Sequence, residues 1–177
     1  MARINYPDID RPELQPLVEE IMAARGGVLH LYRMLMHSPA VAEGWLHLLS
    51  GIRLKSAVPG NLRELIIMRV AVLNGAPYEA DQHRGIALRE GVTQGQLEAL
   101  DHWRDSALFD GREQAVLGLT DAMTRQVQVS DEIFNAARGW FDEPVLMEMV
   151  ATIAAYNMVS RVLEALRIHS DDQPGGH

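Results

Sequence analysis

From Leu62 to Leu73 the sequence reads LRELIIMRVAVL, apolar on nearly every face a helix would present. A helix of that kind has no outward side and must be surrounded, so the rest of the chain has to supply the elements that cover it. Asn61 stands before it as an N-cap candidate, with Glu64 three residues on at the spacing of a capping box. Asn74-Gly75 is a turn dipeptide, and Pro77 suits the first turn of a following helix. That second helix runs to Glu90, with Gly91 placed as a left-handed C-terminal cap. The stretch from Asn61 to Gly91 therefore reads as helix, bend, helix.

The covering elements are helical too. Leu14, Leu17, Val18, Ile21 and Met22 repeat at helical spacing from Pro12 to Gly26-Gly27. A short helix is expected over Val28 to Met36, stopped by Ser38-Pro39 because the residue before proline avoids the α region. Pro39 to Leu49 resumes the period, and Ser50 to Pro59 reads as a linker. Thr93 and Gln96 have capping-box spacing and open a short helix reaching about Trp103. Asp110, Ser130 and the group Asp142-Glu143-Pro144 each open a further helix, the last running from Val145 to Ile168. No stretch alternates with period two for long, so the expected class is all-α: a single-domain bundle over residues 12–169. Residues 1–11 form an arm and residues 170–177 a disordered tail.

Composition removes several functions. The sequence has no cysteine among its 177 residues, which excludes disulfides, cysteine-held metal and thiol chemistry. A net charge of −8 repels phosphate backbones, so nucleic acid is not an expected partner. The N-terminus has no apolar signal region, and no apolar run reaches the roughly 20 residues of a membrane span. A cytoplasmic protein without a membrane partner is expected. The segment from Val145 to Ile168 carries more apolar surface than one stripe needs, so a homo-oligomer is expected as well.

Candidate chemistry gathers in the central pair. Glu79 and His83 are four apart and share a helix face. A carboxylate beside an imidazole favours the imidazolium and makes His83 an acid or base near neutral pH. Glu64 is either the capping partner of Asn61 or, if the two helices fold back on each other, a third member of the group. Tyr78 is a hydrogen-bonding tip over a pocket or an amphipathic residue at a helix start. Arg69 is a clamp for a substrate carboxylate or a surface charge, most arginines being exposed. His30, His37 and His47 could join Glu43 as metal ligands, but no close ligand spacing appears, and neither metal nor cofactor is expected.

The pattern R-E-L-x-I-x-R-V-A at Arg63 to Ala71, then Y-E-x-x-Q-H at Tyr78 to His83, then I-A-L-x-x-G at Ile86 to Gly91, resembles the carboxymuconolactone decarboxylase family, which includes the alkylhydroperoxidase D-like proteins. The likeness continues into HSPAVAEGWLHLLSGIRLKSAVP and the last helix. It implies an all-helical oligomer, a trimer or hexamer, with sites near subunit interfaces and small-molecule substrates. The peroxidase branch of the family carries a C-x-x-C pair where this chain has Ala76 and Glu79, so disulfide-based peroxide reduction is not implied. The decarboxylase branch has a glutamate four residues before the histidine, as Glu79 stands before His83. By that likeness His83 is a general acid, Glu64 and Glu79 orient it or relay its proton, and Arg69 and Tyr78 meet the substrate. A cofactor-free lyase or isomerase is the leading expectation. The alternatives are a ligand-binding oligomer without chemistry and a peroxidase-like protein that has lost its cysteines.

Overall fold

The structure, a computed structural model, describes residues 1–173, whose regular elements are all helical, with no strand among them. Nine α-helices follow one another: α1 (Gln15–Arg25), α2 (His30–Leu35), α3 (Pro39–Leu54), α4 (Gly60–Asn74), α5 (Pro77–Arg89), α6 (Gln94–Ala99), α7 (Gly111–Arg125), α8 (Asp131–Arg138) and α9 (Glu143–Leu166). Short 3-10 turns precede α1 (Pro12–Leu14) and follow α6 (Leu100–Asp105). The all-α class expected from periodicity is what the structure shows. The contacts group into two compact units, residues 1–55 with the segment from Ala165, and Ser56–Glu164, a division that the periodicity does not announce.

In the first unit α1, α2 and α3 enclose a core of Leu14, Val18, Ile21, Tyr32, Met36 and Leu46. Gly26, at φ +77°, ends α1 where a side chain would be strained. α3 runs to Leu54, past the expected start of the linker, because Leu49 and Ile52 are buried at 5% and 7% exposure and hold its last turns in place. The linker is only residues 55–59. At the other end of the sequence, part of the tail expected to be disordered is held. Asp172 is 8% exposed and accepts the Tyr6 hydroxyl at 2.7 Å and the His169 N–H at 3.1 Å. Residues 174–177 lie outside the described residues.

The second unit is built round α4, in which ten consecutive residues, Leu62 to Ala71, are buried. The expectation of a surrounded helix holds, but its start does not. The N-cap is Pro59, not Asn61, and no side chain caps it. The Pro59 carbonyl accepts the Arg63 N–H at 2.9 Å, so the helix is already under way at Asn61 and Glu64 has no capping duty. Gly75, at φ +60°, closes α4, and Pro77 opens α5 after only one more residue. That short connection brings α5 back against α4. The other expected starts are as read: Thr93 with Gln96 and Asp110 with Glu113 form reciprocal capping boxes. Ser130 and Asp142 accept the N–H groups of Ile133 and Val145. α9, the one helix among the described residues long and apolar enough to cross a membrane, buries Leu146, Met149, Ile153, Tyr156, Val159 and Leu163.

Candidate active site

The return of α5 brings together three side chains that the sequence spaces 19 and 4 residues apart. His83 Nδ1 lies 2.7 Å from Glu64 Oε2, and His83 Nε2 lies 3.3 Å from Glu79 Oε1. Glu64 is fully buried, and Glu79 and His83 are each 5% exposed. The Tyr156 ring stands edge-on to the imidazole, 5.3 Å between centroids at 90°, and fixes its plane. The second Glu64 oxygen accepts Arg63 Nε at 3.2 Å, and Arg63 Nη2 reaches Glu90 at 3.4 Å. Glu79 sits in the first turn of α5, where the helix dipole favours a negative charge.

A neutral imidazole donates one hydrogen bond, whereas the imidazolium donates two. With a carboxylate on each nitrogen, only the imidazolium satisfies both contacts. Burial pushes the His83 pKa down, but the hydrogen bonds to Glu64 and Glu79 and the two negative charges outweigh it, and the pKa is raised. Burial pushes Glu64 up, but the hydrogen bond and charge of His83, together with Arg63, hold it below the usual carboxylate value. Both shifts favour the charged form of the pair, a buried imidazolium between two carboxylates.

Of the expected site residues, the structure unites Glu64, Glu79 and His83 and leaves Arg69 elsewhere. Five positions along α4 rotate Arg69 by about 140° from Glu64, and it packs against different partners. It is 2% exposed, not on the surface. Its Nε and Nη2 donate to Asp121 at 2.6 and 3.1 Å, and its Nη1 donates to the carbonyls of Leu100 and Asp101 at 2.6 and 3.4 Å. Its fork is already filled. Tyr78 is 3% exposed in the first turn of α5 and engaged within the protein. His30 and His37 bond to the carbonyls of His169 and Asn5, and His47 to Glu20. Among the described residues no histidine, cysteine and carboxylate cluster is arranged to hold a metal. In the His83 group itself the imidazole separates the two carboxylates, so their oxygens do not converge on one point. Sequence reasoning missed Arg63, Asp121 and Tyr156. Asp121, an acid set among apolar residues in GLTDAM, was the readable sign of a buried partner for Arg69.

Residues 39–122, the span holding Glu64, Glu79 and His83, match the carboxymuconolactone decarboxylase family. The matched span is a little under half of the chain. The uncharacterized protein YdfG of Bacillus subtilis (strain 168) is 28% identical over 114 residues, 63% of this chain and 78% of YdfG. The alkylhydroperoxidase AhpD core of an uncharacterized peroxidase-related protein from Ralstonia eutropha JMP134 superposes with a TM-score of 0.82 at 16% identity, over 97% of this chain and 93% of that one. The debrominase Bmp8 superposes at 0.76 and 21% identity, over 91% and 87%. A cysteine-to-alanine variant of Bmp8 has been solved with 2,3,4-tribromopyrrole. These likenesses establish an alkylhydroperoxidase D-like helical fold, in a chain without cysteine.

Proposed function

We propose that the protein is a cofactor-free acid/base enzyme, a decarboxylase or related lyase or isomerase, acting on a small carboxylated or carbonyl-containing metabolite in the cytoplasm. The observation that carries this reading is a buried His83 with a carboxylate on each ring nitrogen. In a decarboxylation the C–C bond breaks, carbon dioxide leaves, and the electron pair moves into the conjugated carbonyl. A proton must then reach carbon. His83 supplies it from Nε2 by way of Glu79, while Nδ1 keeps its proton on Glu64, which orients the ring. Water reloads the imidazole afterwards. Binding of a small flat molecule by the debrominase supports a substrate of that size. The exposed Met147 on α9, at 64%, supports assembly into a trimer or hexamer.

The test is turnover of a panel of carboxylated lactones and 3-oxo acids, followed by release of carbon dioxide. His83→Ala is expected to lower kcat by about 10²–10⁴-fold, the usual worth of a general acid. Equal turnover by wild type and variant removes His83 from the reaction. A second reading, ligand binding without chemistry, is favoured by the fact that both ring nitrogens are already bonded inside the protein. A panel member that binds beside His83 and is recovered unchanged selects that reading.

A further inference from the structure

Around α4 from His83, a groove opens between the 3-10 turn Leu100–Asp105, α7 and α8. Its Arg69 end measures about 400 Å³, and it continues between α7 and α8 as a second part of about 490 Å³. The two parts share Trp103, Arg104, Gly118 and Ile133. Small-molecule sites have volumes in this range.

The floor at one end is the closed Arg69–Asp121 pair. Asp121 also accepts the Trp103 indole N–H at 3.3 Å and stands 3.5 Å from Arg104 Nη2. The Arg104 guanidinium lies 4.2 Å from the centroid of the Trp103 ring, with its side chain 59% exposed. Stacking on the ring fixes one face of the fork and leaves its other N–H groups toward the groove opening. Arg125 lines the same end from the last turn of α7, exposed and without a hydrogen bond or ion pair among the described residues. Two guanidinium groups thus border one cavity in a chain of net charge −8. Asp101 and Asp105, both exposed, line that end as well. With Glu132 they oppose a polyanion, so an anion held here must be singly charged and paired directly with a guanidinium. Farther along, the walls are mostly apolar, with Ala115, Ile133, Ala136 and the 57% exposed Trp140, and Gln114 and Glu132 stand among them.

Gly118 is the second, independent observation. It lies in the middle of α7, where glycine costs roughly 0.5–1 kcal/mol relative to alanine. A Cβ built there meets nothing within 4 Å. Packing therefore does not require glycine, and a larger side chain would stand in the groove that Gly118 lines.

We propose that this groove is a second binding site, for a small flat monocarboxylate. Its carboxylate meets Arg104, and its apolar body lies over Gly118 toward Ile133 and Trp140. The site is separate from His83 and does not depend on the reaction proposed there.

Titration of the full chain with benzoate, benzamide and inorganic phosphate, read from the Trp103 and Trp140 indole N–H resonances, tests it. Benzoate is expected to shift both saturably in the millimolar range, and to do so equally in His83→Ala. Benzamide, which lacks the charge, should bind at least about tenfold more weakly, as should benzoate to Arg104→Gln. Gly118→Leu should abolish the shifts. If that variant fails to fold by circular dichroism, Arg125→Gln takes its place, with the same loss of affinity expected. Absence of saturation, equal binding of benzamide, tighter binding of phosphate, or unchanged affinity in Arg104→Gln would each overturn the proposal.

Discussion

Glu64 and Arg69 leave the same helix five residues apart, and both are buried against opposite charge, yet only one of the two clusters can move a proton. The Arg69–Asp121 pair is saturated. Its donors form two bonds to the carboxylate and two to main-chain carbonyls, and a guanidinium has no proton to give up in a protein. In the other cluster an imidazole bridges two carboxylates, and an imidazole can release and regain a proton where a guanidinium cannot. Burial of charge is common to both. Titratability is what separates a fastening from a candidate for chemistry.

The largest break in this comparison is Asp121→Ala. It strands the Arg69 charge in the interior, and a loss of about 3–5 kcal/mol in a denaturant melt is expected. A loss below about 1 kcal/mol would show water reaching Arg69 and end its description as a buried fastening.

Glu64→Gln should cost less, about 1–3 kcal/mol, because a neutral hydrogen bond can remain at Nδ1. Its sharper signature is in the titration. His83 is expected to lose part of its upward shift, read from its ring resonances. The sign follows from the two shifts. The stability that the raised His83 contributes is intact below the ordinary histidine value of 6.5 and fades as pH climbs through its higher folded value. The contribution of the lowered Glu64 is intact above the ordinary carboxyl value of 4.5 and fades as pH falls through its lower folded value. The cluster thus stabilises most between those two values, and Glu64→Gln should flatten both flanks. An unchanged profile would mean that the contact in α4–α5 carries no linkage.

The smallest effect is expected at Gly60. A Cβ there would come 1.6 Å from Glu90 Oε2, so Gly60→Ala must displace Glu90 from Arg63. Glu90 is 41% exposed and its side chain is flexible, so the stability change should stay within about 0.5 kcal/mol. A larger loss would mean that Glu90 holds Arg63, and through it Glu64, in place.

Periodicity and caps made most of the helices legible, because the residues that start them act locally: Thr93, Asp110 and Ser130 each bond an N–H three residues on. The exceptions are places where distant contacts decide. Asn61 and Glu64 match a capping box in spacing, but the main-chain bond at Pro59 and the pull of His83 across the bend take precedence. The last turns of α3 are held by the burial of Leu49 and Ile52, and Asp172 is anchored by Tyr6. For the site, the i, i+4 pairing of Glu79 with His83 could be read directly. The approach of Glu64 was one of two readings, and the Arg69–Asp121 pair, spanning 52 residues, left only the lone acid in GLTDAM as a trace, which does not name its partner.

The nearness of Glu64 to His83 along the chain, only 19 residues, has a consequence for how the molecule comes into being. Short loops close sooner than long ones, and local contacts form ahead of distant ones. A refolding chain should therefore protect the amides of α4 and α5 against exchange together, and fasten Arg69 to α7 afterwards. The segment that holds Glu64, Glu79 and His83 would be assembled first, as a two-helix hairpin awaiting its enclosure.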